Sequence, residues 1–235
     1  MGITLGQRST VPPLSNRVEN VREALLACGV ASSALYAAML IITPFFWPEY
    51  SSASQTVSEL SAIGAPTRPL WVPLGVMYTL LIAAFGRGVW MSATESRALR
   101  VVGGALIVYG IVGVFWPPMH LRGMPFTLTD ALHIVWAAVT VLLMLIAIGF
   151  GAAAFGKRFR VYSIATMVVL AVCGALTSLQ APNIAANGPT PLIGVWERIN
   201  IATFLVWVVV LTIVLVRPAP LASDAGLNRR FVVRD

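Results

Sequence analysis

Six apolar stretches set the pattern of the chain: Ala24 to Phe46, Leu70 to Met91, Val101 to Met119, Ala131 to Phe150, Val161 to Leu179 and Ile193 to Val216. A helix needs about 20 mostly apolar residues to cross a bilayer, and each stretch meets that length. Polar and charged residues are confined to the short segments between them, which leave no room for a separate soluble domain. The pattern predicts an all-α fold, an integral membrane bundle of six transmembrane helices spanning residues 23–217. A segment of residues 1–22 precedes it and a basic tail of residues 218–235 follows. The first 22 residues carry Arg8, Arg17, Glu19 and Arg22 with no apolar run, which is not the make-up of a cleaved signal peptide.

Composition agrees. Of 235 residues, 58% are apolar and 11% charged, and the mean hydropathy is +0.84. A water-soluble domain of this length would carry far more polar surface. The net charge of +7 and pI near 10.3 do not point to nucleic acid, because the basic residues are scattered through the connections with no basic face. They report topology instead. Arg8, Arg17, Arg22, Arg87, Arg97, Arg100, Lys157, Arg158, Arg160, Arg217, Arg229, Arg230 and Arg234 fall on one side, and Arg68, Arg122 and Arg198 on the other. The positive-inside rule then places both termini in the cytoplasm and the protein, multi-pass, in the cytoplasmic (cell) membrane. Arg87, about one turn inside its helix, reaches the inner interface by snorkelling.

Proline and tryptophan punctuate the outer ends: Trp47-Pro48, Pro66, Pro69, Trp71, Trp116-Pro117-Pro118, Thr190-Pro191 and Trp196. Small residues at Gly29, Ser33, Gly103, Gly104, Gly110, Gly113, Gly149 and Gly151 allow helices to approach closely. Cys28 and Cys173 differ by eight residues in depth, about 12 Å at 1.5 Å per residue, beyond the roughly 7 Å that a disulfide tolerates. Both read as buried thiols.

The remaining ionisable residues gather on the outer side. Glu49 and Glu59 lie in the first outer loop and His120 and Arg122 in the second. Asp130 and His133 open helix four, and Glu197 and Arg198 sit about two turns into helix six. Charge inside a spanning segment is costly and marks a functional site or an internal ion pair. Asp130 and His133, at i and i+3, share a helix face. With His120 they form a candidate metal set for zinc or iron. Thr127-Leu128-Thr129-Asp130 also fits a capping box, which would occupy the carboxylate. Thr56-Val57-Ser58-Glu59 has the same form and predicts a short interfacial helix ending near Gly64-Ala65-Pro66. Ser58 beside Glu59 is a conceivable nucleophile, without a GxSxG elbow. Were Thr190 to cap helix six with Pro191 at its first position, Glu197 would lie about 9 Å along the axis. Glu197 and Arg198 point about 100° apart, so each seeks its own partner: Arg122 for Glu197, and Asp130 or Glu59 for Arg198.

At these residues the sequence resembles the membrane proteins grouped as domain-of-unknown-function family 998. The resemblance runs from about Ala24 to Val216. It rests on the loop from Gln55 to Pro66, on His120-Leu121-Arg122-Gly123, on Thr129-Asp130 with His133, on Phe159-Arg160 with Tyr162-Ser163, and on Glu197-Arg198. It implies a polytopic helical bundle of bacterial or archaeal origin with no established activity.

Three readings of function follow. In the first, Arg122 and Arg198 bind a lipid or other anionic head group at the outer leaflet, framed by Glu59, Asp130 and Glu197. Such a site would serve lipid handling or assembly with a membrane-protein partner. In the second, His120, Asp130 and His133 hold a metal and Glu59 or Glu197 is the general base of an intramembrane hydrolase acting on a lipid-linked substrate. A small-solute transporter ranks last, since the mid-membrane positions hold little beyond hydroxyls such as Thr140 and Thr166.

Overall fold

The computed structural model describes residues 14–217, and each expected spanning stretch is a helix in it: α1 (Leu14–Ile42), α2 (Arg68–Met91), α3 (Arg97–Val114), α4 (Leu128–Ala154), α5 (Lys157–Ala185) and α6 (Ile193–Val216). All six are long and apolar enough to cross a membrane. Two single-turn 3₁₀ helices, Thr43–Phe46 and Ser58–Ser61, lie between α1 and α2. Among the described residues the only strand-like feature is an isolated bridge between Ile63 and His120. Arg8 and the tail residues Arg229, Arg230 and Arg234, which enter the topology argument, lie outside the described residues.

Several boundaries depart from the apolar stretches, among them the end of α5, which runs past Leu179 to Ala185; three features of the helix ends have a local reason. The third helix stops at Val114 instead of Met119. Two consecutive prolines at Pro117 and Pro118 cannot donate to a helix, and Trp116 before them is pushed out of the helical region. The first helix begins at Leu14, so the charged stretch up to Arg22 continues the helix, with Arg22 paired to Glu19 one turn away. The last helix starts at Ile193 with Leu192 as its N-cap. Thr190 and Pro191 therefore precede it, and Glu197 lies only about 6 Å along the axis at 1.5 Å per residue.

Successive helices pack side by side in chain order, and α1 closes the ring against α6. The α2–α3 seam is the most intimate. A Cβ at Gly103 would lie 2.7 Å from the Trp90 nitrogen, and one at Gly86 the same distance from the Ile107 nitrogen, so only glycine admits this approach. Gly149, expected at a seam, meets Met167 at ordinary contact distance. Phe85, Leu106, Phe204, Trp207 and Leu211 fill the interior. Polar ties are few: Trp207 Nε1 donates to Ser163 Oγ at 3.0 Å and Asn200 Nδ2 to the Leu170 carbonyl at 3.0 Å. Arg160 Nε donates to the Ala152 carbonyl near the end of α4. The outward positions of the bundle, among them Ile111, Ile134, Leu142, Val172 and Val206, are apolar and exposed. Water would penalise such a surface by about 1.5–3 kcal/mol per large side chain left unburied, whereas lipid would not. The chain is a multi-pass integral membrane protein. Cys28 and Cys173 are free thiols, Cys173 buried as expected and Cys28 only half-buried.

Because the helices alternate in direction, residues 43–67, 115–127 and 186–192 all lie at one end, the capped end. The basic connections occupy the other.

Candidate functional site

The capped end is organised around one buried ion pair. At the head of the 3₁₀ turn Ser58–Ser61, Glu59 Oε2 accepts from the Thr56 nitrogen at 2.6 Å and from Thr56 Oγ1 at 3.0 Å. Thr56 Oγ1 accepts in turn from the Glu59 nitrogen at 3.2 Å. This is the reciprocal capping box that the Thr-x-x-Glu spacing predicts, built on a single turn. It leaves the Glu59 carboxylate fully buried, and Arg122 from the α3–α4 connection meets it through Nε at 2.8 Å and Nη2 at 3.0 Å. Arg122 also donates from Nη1 to Thr190 Oγ1 at 2.7 Å and from Nη2 to the Ser54 carbonyl at 3.0 Å. Thr190 Oγ1 donates to that same carbonyl at 2.8 Å. One guanidinium thus joins all three connections and spends four of its five N–H groups inside the protein.

Helix α6 holds the outer part of the same loop by two adjacent residues. Glu197 Oε2 accepts from the Val57 nitrogen at 2.6 Å. Arg198 donates from Nη1 to the carbonyls of Ser52 at 2.7 Å and Gly194 at 3.1 Å, and from Nη2 to the Tyr50 hydroxyl at 2.8 Å. Its guanidinium carbon sits 5.6 Å from the centre of the Tyr50 ring, a cation–π contact. Tyr50 passes its own proton to the Thr56 carbonyl at 2.8 Å, and burial pushes its pKa up to about 12. Gly194 makes the close passage possible: its nitrogen donates to the Ala53 carbonyl at 2.9 Å, and a Cβ there would collide with the carbonyls of Gln55 and Ser52.

These contacts correct the expected pairings. Glu197 does not meet Arg122, and Arg198 meets neither Asp130 nor Glu59. As expected for neighbours on a helix, Glu197 and Arg198 do not pair with each other. Thr190 anchors the loop instead of capping α6. Among the described residues, Arg198 forms no salt bridge with a carboxylate; the pairs are Arg22–Glu19, His120–Asp130 and Arg122–Glu59. Arg198 stands on the wall of an open groove of about 500 Å³, lined also by Ser52, Ala53, Val195, Ile199 and Ala202. Val195, Ile199 and Ala202 continue the Arg198 face of α6 at helical spacing and make it apolar.

The candidate metal set divides. Asp130 Oδ1 accepts from the His120 nitrogen at 2.7 Å, and Oδ2 lies 3.0 Å from His120 Nδ1. Oδ2 also accepts from the Thr127 nitrogen at 2.8 Å and Thr127 Oγ1 at 2.7 Å. The carboxylate is consumed by its cap and by His120. His133 turns elsewhere: its Nδ1 lies 2.8 Å from the Pro117 carbonyl and 3.1 Å from Trp116 Nε1. A protonated Nδ1 donates to the first, and an unprotonated one accepts from the second. Among the described residues no three His, Cys, Asp or Glu groups converge as a metal site, and the candidate set of His120, Asp130 and His133 is divided between two hydrogen-bond systems. Among the described residues the Ser58 hydroxyl has no carboxylate or imidazole partner, and Glu59 faces Thr56 and Arg122. Glu49 is exposed, and Arg68 donates to the Ser61 carbonyl.

Sequence reasoning missed Tyr50, and it missed the main-chain acceptors at Ser52, Ser54 and Gly194. Tyr50 follows Glu49 in an outer loop, where an aromatic reads as an interfacial anchor. A carbonyl belongs to every residue and leaves no mark in the sequence.

No curated protein and no solved structure matches the chain. The family model described as "Protein of unknown function (DUF998)" matches residues 30–214, a range that contains Glu59, Arg122, Asp130, Glu197 and Arg198. With most of the chain covered, and with these residues forming the cap, the protein belongs to that family.

Proposed function

We propose that the protein binds the anionic head group of a membrane lipid at its capped end, that Arg198 is the group that takes the charge, and that this end faces away from the cytoplasm. The single observation that carries the reading is the contrast between two arginines of the same cap. Arg122 is neutralised by a buried carboxylate and has four of its five N–H groups on protein oxygens. Arg198 has three N–H groups on neutral oxygens, leaving two donors and a full positive charge beside an apolar groove. A phosphate there would accept from the free donors in the geometry that guanidinium favours, while an acyl chain would lie along Val195, Ile199 and Ala202. Glu59, Arg122, Glu197 and Thr190 form the frame that holds the loop to α6, and Asp130 holds the α3–α4 connection through His120 and Thr127.

The sidedness follows from the distribution of Lys and Arg, and a membrane with anionic lipid in the leaflet of the capped end is its natural setting. The test is retention of phosphatidylglycerol against phosphatidylcholine by detergent-purified protein, read by native mass spectrometry. Charge-assisted hydrogen bonds contribute about 1.5–3 kcal/mol, so Arg198→Gln should weaken phosphatidylglycerol binding roughly ten- to hundredfold and leave phosphatidylcholine unchanged. Equal retention of both lipids by the wild type would overturn the proposal.

A second reading, a hydrolase acting on a lipid-linked substrate, draws on the His120–Asp130 contact. The carboxylate favours the proton on Nδ1 and leaves Nε2 as a general base. It makes no use of a metal. Hydrolysis of a lipid ester that disappears in His120→Ala with the fold retained would support this reading over head-group binding alone.

A further inference from the structure

The connection between α3 and α4, residues 115–127, is turned inside out relative to a loop in water. Its arginine points inward: Arg122 is held by Glu59, Thr190 and Ser54. His120 is likewise tied to Asp130. Trp116, Met119 and Leu121 are half-buried, but its other large apolar side chains point outward. Phe115 is 68% exposed, Met124 60% and Phe126 65%, and Leu128 at the first position of α4 is 74% exposed. Isolated apolar residues on a surface need no explanation, but four on one short segment whose cation and imidazole are spent internally make a patch that seeks an apolar partner.

Helix length says which partner. At 18 residues, α3 reaches about 27 Å, short of the roughly 30 Å hydrocarbon thickness. The chain thus leaves the helix at Val114 while still at the depth of the acyl chains, and Phe115 is the next residue. Non-helical backbone at such depth must have its polar groups occupied or reach interfacial water, and part of this segment is occupied from within the protein. Pro117, Pro118 and Pro125 have no N–H to satisfy. The Phe115 nitrogen donates to the Val112 carbonyl at 3.2 Å, and the Met119 carbonyl accepts from the Ile63 nitrogen at 2.7 Å. The His120 and Thr127 nitrogens donate to Asp130, and the Met124 nitrogen donates to the Leu121 carbonyl at 3.2 Å. Gly123, at φ +86°, makes the turn that sends Met124 and Phe126 away from the cap.

We infer that this connection is an interfacial anchor whose apolar side chains enter the acyl boundary of the leaflet at the capped end. The occupant of the patch is lipid hydrocarbon. The anchor fixes the height of Arg122, and with it the whole cap, at the bilayer surface. This inference uses neither Arg198 nor its groove, and it stands or falls separately from head-group binding.

The test places a nitroxide at position 126 by Phe126→Cys, with Cys28 and Cys173 replaced by alanine, in nanodiscs of phosphatidylcholine alone. Glu49→Cys, on the exposed surface of the same cap, supplies the water reference, and Met124→Cys repeats the measurement should the first variant fold poorly. Power-saturation EPR compares collision with lipid-soluble oxygen and with a water-soluble nickel chelate. The expected result is an oxygen-to-nickel ratio at 126 and 124 several-fold above that at 49. A ratio equal to that at 49 would place the loop in water and overturn the inference. Protection from both reagents would also overturn it, by showing a protein surface over the patch.

Discussion

Removing Arg122 while leaving Glu59 in place is the sharpest perturbation of the cap. Glu59 is fully buried, and its two oxygens receive the Arg122 Nε and Nη2 hydrogens at 2.8 and 3.0 Å. In Arg122→Ala the carboxylate keeps only the Thr56 donors and the long 3.4 Å contact from Gln55 Nε2, with its charge uncompensated. Breaking a buried pair by deleting one partner costs about 3–5 kcal/mol. The lost donors to Thr190 and Ser54 add about 1 kcal/mol each in net hydrogen bonding. At about 2–4 °C per kcal/mol for a chain of this size, Tm should fall by roughly 10–30 °C. The assay is thermal unfolding in mild detergent, followed by the reaction of a thiol-sensitive dye with Cys28 and Cys173, free thiols in spanning helices. Adding Glu59→Gln to Arg122→Ala should recover part of the loss, because the stranded charge is then gone. A single variant that melts within a degree or two of wild type, or a double variant no better than the single, would refute the assignment of this pair as the centre of the cap.

Gly194→Ala should destabilise the cap by more than the usual small effect of a surface alanine, since its methyl group meets the Ser52 and Gln55 carbonyls; a melting curve unchanged from wild type would contradict the packing of α6 against the loop. Tyr50 has a pKa pushed up to about 12 from an ordinary 10.0, so the folded state retains a proton that the unfolded state loses. The Tyr50 contribution to cap stability should be constant below pH 10 and be lost between pH 10 and 12, with Tyr50→Phe lacking that part of the fall in matched pH melts. A reporter fused after Arg217 should read the cytoplasm, and a signal from the opposite side would overturn the charge-based orientation.

The membrane architecture was legible because it depends on a summed property. Twenty apolar residues in a row need no partner in order to be read as a span, and the helices formed where those runs lie. Local signals also read well. Both Thr-x-x-acid patterns became contacts between the acid and its threonine, because a capping box is closed within four residues. The tryptophan and two prolines after Val114 ended α3 earlier than hydropathy alone suggested, since hydropathy counts Trp116 as apolar while backbone sterics forbid the helix to continue.

The pairings across the cap were not legible. Glu197 and Arg122 have complementary charge, yet Arg122 found Glu59, and Glu197 took a main-chain nitrogen. The choice depends on which loop lies under which helix end, and the sequence of one chain does not order three loops in space. Arg198 is the sharper case. Its partners are two carbonyls and the Tyr50 hydroxyl, and because among the described residues no carboxylate pairs with it, its charge became visible only in the structure. At Asp130 the capping box is the local signal that holds, whereas helical spacing alone does not reveal that His133 turns to the Pro117 carbonyl and the Trp116 indole.

The central claim is that Arg198 and its groove receive an anionic lipid, and photo-crosslinking tests it most directly. A phosphatidylglycerol carrying a photoreactive group near the top of one acyl chain would be incorporated into nanodiscs with the protein, and the labelled peptides mapped. The account predicts adducts on Val195 to Ala202 and on Ser52 or Ala53, lost in Arg198→Gln and absent with the matching phosphatidylcholine probe. Labelling spread evenly around the helices, or identical for the two lipids, would contradict it.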